Sequence, residues 1–155
     1  MRTFPILTIA LLAGSIALLG GCGQAQQADA AGTRDVSALR PASLDPDTAK
    51  VAVDVLLRDP GNFDGDIALD GVVVQAFADR GAFVMVDLEE FKSCGLEACT
   101  DATFPVRVPS DDFEGTVPQP GDFVTVLGAY RALERGFEFD VREVHYEDAV
   151  ILARK

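Results

Sequence analysis

The chain has no tryptophan, a single histidine and three cysteines among its 155 residues. With one histidine, an acid–base mechanism would have to rely on carboxylates. No G-x-S-x-G motif, H-E-x-x-H motif or phosphate loop occurs either. Basic residues are scarce, with 13 Lys and Arg against 25 Asp and Glu, and the formal net charge is −12. With so few Lys and Arg side chains, the protein can replace only a few of the counterions that surround the phosphates of a nucleic acid. We therefore expect a protein that is not an enzyme, binds no cofactor and does not bind nucleic acid.

The first residues have the character of an export signal. Arg2 precedes an uncharged apolar stretch over residues 3–21. The stretch ends in Leu19-Gly20-Gly21, and Cys22 follows it. Such a stretch enters a bilayer while Arg2 stays on the cytoplasmic side. The ending resembles the lipobox of bacterial lipoproteins. The resemblance implies that residues 1–21 are a cleaved signal peptide and that Cys22 carries diacylglycerol and a further acyl group such as palmitate. The alternative is an uncleaved membrane-spanning helix, because the stretch is long enough to cross a bilayer.

Residues 22–44 contain Gln, Ala, Gly and Ser without a sustained apolar period. This composition predicts a flexible tether between the lipid anchor and a folded domain over residues 45–155. Gly23, and not Asp, follows Cys22. For a Gram-negative lipoprotein this implies the outer membrane, with the domain in the periplasm.

The folded domain begins with a helix signal and continues with strand signals. Asp45-Pro46 is typical of a helix start, and we predict a short helix over residues 46–57, although Val51, Val53 and Val55 also alternate as in a strand. Five strands follow, at residues 67–74, 83–86, 104–108, 123–133 and 137–144. Gly71 and Gly128 lie inside two of them, where glycine lets a strand bend. The turns at 79–81 and 134–136 each end in glycine. The pattern predicts a mainly β domain: a five-stranded antiparallel barrel with one short N-terminal helix.

Several motifs carry a family resemblance: Asp59-Pro60, Phe63-Asp64-Gly65, Ile67-x-Leu69-x-Gly71-x-Val73 and Gly121-Asp122-x-Val124-x-Val126-x-Gly128. With them, the stretch from Val53 to Val144 resembles the small OB-fold domains of exported bacterial proteins, of the nucleic-acid-binding type in strand order. The resemblance implies an OB-like barrel and leaves its function open. An immunoglobulin-like sandwich is the rival fold. The barrel requires the first predicted strand to pair with the fourth.

OB barrels bind ligands on the face of their second and third strands. We predict that five residues form this ligand face: Phe83, Met85, Arg107, Tyr130 and Arg131. Phe137 and Phe139 alternate with Glu138 and Asp140, which predicts that both phenylalanines belong to the barrel core. The expected function is a non-enzymatic binding or accessory module of the cell envelope. Its partner would be an envelope protein, a saccharide or another small ligand.

Two cysteines lie between the second and third predicted strands. In an oxidising compartment, Cys94 and Cys99 most simply form a disulfide bond. The alternative is a metal-handling or thiol-redox accessory protein, in which Cys94 and Cys99, joined by His145, hold a soft metal ion. The spacing supplies only two thiolates where a closed zinc site needs four ligands. A lone histidine is more often a packed residue than a ligand.

Overall fold

The computed structural model describes residues 39–98 and 102–155 and shows a mainly β fold. Two helices lie within these residues: α1 at Val53–Arg58 and α2 at Leu88–Ala98. The strands are β1 at Ala49–Ala52, β2 at Asp64–Phe77, β3 at Ala82–Val86, β4 at Phe104–Arg107, β5 at Phe113–Gly115, β6 at Phe123–Ala132, β7 at Phe137–Tyr146 and β8 at Ala149–Arg154.

The strands form one curled sheet with the shape of a half-barrel, in the order β4-β3-β2-β6-β7-β8-β5. All of these neighbours are antiparallel, and β1 adds to β2 in parallel. The five predicted strands correspond to β2, β3, β4, β6 and β7, and the required pairing of the first with the fourth is present, since Ile67 of β2 lies opposite Gly128 of β6. The prediction of five strands was wrong in number, because β1, β5 and β8 also belong to the sheet.

The predicted helix over residues 46–57 is wrong in its first half. The carboxylate of Asp45 accepts a hydrogen bond from the Asp47 N–H at 2.9 Å, and the turn closes when the Thr48 N–H bonds the Asp45 carbonyl at 3.0 Å. Residues 49–52 then pair with β2 as β1. Backbone pairing with a neighbouring strand outweighs a local helix signal, since helix propensity is a weak prior that tertiary context overrides.

A second helix, α2, covers part of the outer face of the sheet and was not predicted. Val72, Val74 and Val86 form a small buried cluster there, and α2 packs Leu88 and Phe91 against it. The Asp87 carboxylate accepts a hydrogen bond from the Glu89 N–H at 2.8 Å, which is typical of a helix start. The helical backbone is interrupted at Gly95, where φ is 69°. Because α2 covers Val72 and Val74 on the outer face while Val73 points into the main core, consecutive residues of β2 are buried.

The main core fills the concave side of the half-barrel. Its largest fully buried side chains are Tyr130, Phe83, Phe104, Leu56, Ile67, Leu69 and Met85. Helix α1 contributes Val53 and Leu56 to this core. Gly71 allows the close packing, because a Cβ at this position would lie 2.7 Å from the Val86 carbonyl oxygen and 2.9 Å from Val53 Cγ2.

The last residues of the predicted tether lie on the edge of β8. The Ala42 N–H bonds the Asp148 carbonyl and the Val150 N–H bonds the Arg40 carbonyl, each at 2.9 Å. Pro41 forms a bridge with Ala149. The ordered chain therefore begins before residue 45. All described residues belong to one compact unit that contains the whole core, so we expect residues 23–155 to fold without the preceding segment.

Candidate functional site

The half-barrel has a seam where β4 faces the first half of β7. In the described sheet, β4 pairs only with β3, and residues 137–141 of β7 pair only with β6. Aromatic side chains meet across the seam: the ring centroids of Phe104 and Phe137 are 4.6 Å apart and stacked, and those of Phe104 and Phe139 are 5.6 Å apart, edge to face. Side-chain packing therefore connects β4 to β7 here without a strand ladder.

A surface groove of about 420 Å³ lies along this seam. We call it the seam groove and define it by the exposed or half-buried residues that line it: Phe77, Ala82, Val84, Pro105, Arg107 and Phe137. Most of these side chains are apolar. Phe77 is 39% exposed and adds a large aromatic surface to the groove.

Buried aromatic side chains of the core support Phe137 in the seam groove. Phe137 stacks on Phe104, which is fully buried, and lies 5.8 Å from the ring of Tyr130, which is 1% exposed. Two turns flank the groove, one after Phe77 and one before Phe137. Both contain the predicted glycines at positive φ, 54° at Gly81 and 88° at Gly136, which confirms these turns.

The seam groove is lined by a positive charge that no carboxylate of the described residues neutralises. Most arginines pair with carboxylates; the pairs are Arg40–Glu143, Arg58–Asp54, Arg131–Glu138, Arg142–Asp66 and Arg154–Asp140. Arg107 lines the groove and Arg135 lies in the turn before Phe137, and neither pairs with a carboxylate of the described residues. Arg80, in the other turn, is 3.8 Å from its neighbour Asp79. Of the described arginines without a carboxylate partner, Arg107 therefore lines the groove itself.

The ligand face predicted from the sequence is largely wrong. Phe83 and Met85 are 0% exposed and Tyr130 is 1% exposed, so these three side chains belong to the core. The side chain of Arg131 is exposed and pairs with Glu138. Arg107 alone lies where the prediction needs it, at the seam groove.

Sequence reasoning considers both phenylalanines of the groove as aromatic platforms for a ligand and favours the barrel core for them. Phe137 alternates with acidic residues as a core residue does, and it does pack against the core, but one side of it lines the groove. Phe77 is the last residue of β2. A usable signal is present in the chain, because each phenylalanine stands next to a turn of the form acidic residue, arginine, glycine.

The predicted cysteine site falls partly outside the described residues. Cys22 and Cys99 both lie there, and in the described part Cys94 forms no disulfide bond. Cys94 is half-buried on α2, packed against the cluster of Val72, Val74 and Val86. The Cys94–Cys99 disulfide stays a prediction. His145 lies in β7, away from α2, and residues 39–98 and 102–155 contain no group of three His, Cys, Asp or Glu side chains that could hold a metal ion.

His145 is part of a polar network that fastens residue 40 to the sheet. It is 3% exposed, and its Nε2 lies 2.8 Å from Glu143 Oε2, while Arg40 Nη2 lies 2.6 Å from Glu143 Oε1. Burial raises the pKa of the Glu143 carboxyl, but hydrogen bonds and positive charge from His145 and Arg40 outweigh burial and leave this pKa lower than usual. Above the ordinary pKa of glutamate the network stabilises the fold, and this contribution is lost as the pH falls through the lowered pKa.

Comparisons with known proteins found no matching family model, no similar curated protein and no similar solved structure. In the part of the chain that the structure describes, no helix is long and apolar enough to span a membrane. Function is therefore inferred from the sequence and from the seam groove.

Proposed function

We propose that this chain is a lipid-anchored protein of the cell envelope, held at Cys22 in the outer membrane with its domain in the periplasm. The uncharged stretch over residues 3–21 and the Leu-Gly-Gly-Cys ending support the anchor. Several acyl chains on one cysteine give stable membrane attachment where a single chain would be marginal. We also propose that the half-barrel is OB-like, which the order β4-β3-β2-β6-β7 and the pairing of β2 with β6 support.

The anchor is tested by growing cells that express the full chain with radiolabelled palmitate. We expect the label to enter the protein and the Cys22→Ser variant to take up none, because the thiol is the acceptor of the diacylglycerol group. Cys94→Ser is the matched control, since it removes another thiol and leaves the lipobox intact, and it should keep the label. Equal labelling of the wild-type protein and Cys22→Ser would show that Cys22 is not the anchor.

We propose that the domain is a non-enzymatic binding module and that the seam groove is its binding site. The observation that carries this proposal is the combination of two aromatic side chains, the exposed Phe77 and the half-buried Phe137, with Arg107, which has no carboxylate partner in the described structure. Pockets of this kind, mostly apolar with a few polar groups that orient the ligand, are typical of binding sites.

Anilinonaphthalenesulfonate, an aromatic anion, probes both properties of the groove. We expect residues 23–155 to bind it at one saturable site, measured by its fluorescence. The Arg107→Gln variant should bind about threefold to tenfold more weakly, because it loses one partly exposed charge pair worth about 1 kcal/mol.

Arg142→Gln is the matched control for this measurement. It removes the same charge from an exposed site, where Arg142 pairs with Asp66 away from the groove. Its affinity for the probe should equal that of the wild type. Equal weakening by both variants would indicate a general effect of net charge, and the absence of saturable binding would refute the seam groove as a binding site.

A further inference from the structure

We infer that the seam groove binds an extended segment of a partner protein, in which a large apolar side chain stands next to side-chain carboxylates. This inference rests on the proposed function of the groove as a binding site and adds the chemistry of its ligand. The evidence comes from the size and lining of the groove, from its charge, and from the edge of β4.

The size of the groove limits what fills it. Ligand pockets for small molecules span about 300–1,000 Å³. At about 420 Å³, the seam groove lies near the small end of this range and suits one large side chain with a short stretch of backbone. Phe77, Val84, Pro105 and Phe137 offer this side chain an apolar lining. Phe77 and Phe137 also provide ring faces and edges on which an aromatic side chain packs well.

The charge of the groove favours a carboxylate beside the apolar group. Arg107 lines the groove itself, and its guanidinium matches the planar geometry of a carboxylate. Arg135 lies in the turn that leads to Phe137 and is exposed. A carboxylate next to the apolar residue of a peptide would meet Arg107. Five other described arginines pair with the protein's own carboxylates, whereas Arg107 has no such partner and can pair with a carboxylate of an acidic segment.

A nucleic acid strand suits this surface less well. Each turn that flanks the groove carries an acidic residue beside its arginine, Asp79 beside Arg80 and Glu134 beside Arg135. Binding to a strand needs a continuous positive track along the phosphates. The net charge of −12 opposes a polyanion over its whole length, whereas one or two carboxylates respond mainly to the nearby arginines.

The edge of β4 shows that side chains, and not strand pairing, provide the recognition. The Val108 N–H bonds the Gly81 carbonyl at 2.6 Å, and Val106 lies opposite Phe83, so the backbone groups of Pro105 and Arg107 point away from β3. Proline has no N–H to donate at this outer edge. An added strand would therefore miss a hydrogen bond, and the partner is held by its apolar side chain and by its carboxylates.

The experiment is a calorimetric titration of residues 23–155 with short synthetic peptides. The probe is acetyl-Gly-Glu-Phe-Glu-Gly-amide. Two matched peptides replace both Glu by Gln, or Phe by Ala, and pentathymidylate represents a single-stranded nucleic acid. We expect the probe to bind at least fivefold more tightly than either matched peptide and than pentathymidylate. For the Arg107→Gln variant, the affinity for the acidic peptide should exceed the affinity for the Gln-substituted peptide by less than twofold. For the Arg142→Gln variant, the difference between these two affinities should be the same as in the wild type.

Three results would overturn this inference. They are equal binding of the acidic and neutral peptides, tighter binding of pentathymidylate, and no heat of binding for the acidic peptide at millimolar concentration. If the aromatic sulfonate probe still binds with dependence on Arg107, the groove remains a binding site and only the peptide assignment fails. If the sulfonate probe does not bind either, the proposed function fails with it.

Discussion

Replacing Phe104 by Ala is expected to lower the free energy of unfolding by about 3–5 kcal/mol, the usual range for the loss of a fully buried aromatic ring. Phe104 is 0% exposed and contacts the rings of Phe137 and Phe139 across the seam. No strand ladder joins β4 to β7 within the described residues, so these rings carry the contact between the two strands. Urea unfolding followed by far-ultraviolet circular dichroism measures the loss, since the chain has no tryptophan to report it.

Phe113→Ala is the matched control for the role of Phe104. Phe113 is a buried phenylalanine of β5, 6% exposed, at the other end of the sheet order, with the Arg154 guanidinium over its ring. Both variants should be less stable than the wild type, but only Phe104→Ala should weaken probe binding at the seam groove, because it removes the ring that supports Phe137. A loss below about 1 kcal/mol in Phe104→Ala would show that the seam depends on other contacts.

Gly71→Val should cost about 3 kcal/mol, at the upper end of the range for overpacked cores. Even a Cβ here would approach the Val86 carbonyl oxygen to 2.7 Å, and this oxygen belongs to the backbone of β3. The added methyl groups would meet Val53 of α1 as well, so both the helix and the strand would have to move. Thermal and urea unfolding of residues 23–155 give the measurement.

Gly61→Val tests whether this effect comes from packing. A Cβ added at Gly61 would meet no heavy atom within 4 Å, and Gly61 has no positive φ, so the same substitution should change stability by no more than about 0.5 kcal/mol. If the two variants lost equal stability, the close approach of β2, β3 and α1 at Gly71 would not be the reason that glycine stands there.

The strands that the sequence predicts share a clear local pattern. Residues 67–71 of β2 and most of β6 alternate apolar and polar or small residues, and proline and glycine precede both strands, so their existence follows from the sequence. Their pairing is a requirement of the predicted barrel and does not follow from the local pattern. β8 is different, because Ala149, Val150, Ile151 and Leu152 are all buried and give no alternation. β1 has only four residues and depends on its partner β2 for its conformation. Strands of these two kinds are specified by distant contacts that a local pattern does not contain.

The binding surface is harder to predict than the fold. Alternation separates the two faces of a strand but does not say which face lies inside a curled sheet, so sequence reasoning places Phe83 and Tyr130 on a ligand face although they are core residues. Arg107 lies where the sequence predicts it because it alternates with Val106, which is buried. Phe137 packs on the core with one side and lines the groove with the other, and a two-state division into core and surface has no place for such a residue.

The covered edge of β8 and the proline in β4 bear on how copies of this protein would behave when they are crowded together. Residues 40–42 and β5 share the outer edge of β8, and Pro105 interrupts the outer edge of β4. Exposed strand edges are templates for edge-to-edge association and amyloid-like aggregation. Molecules anchored in one membrane leaflet meet their neighbours far more often than molecules free in solution. For the lipid-anchored protein that we propose, blunted edges would let it reach a high density on a membrane while its copies remain separate molecules.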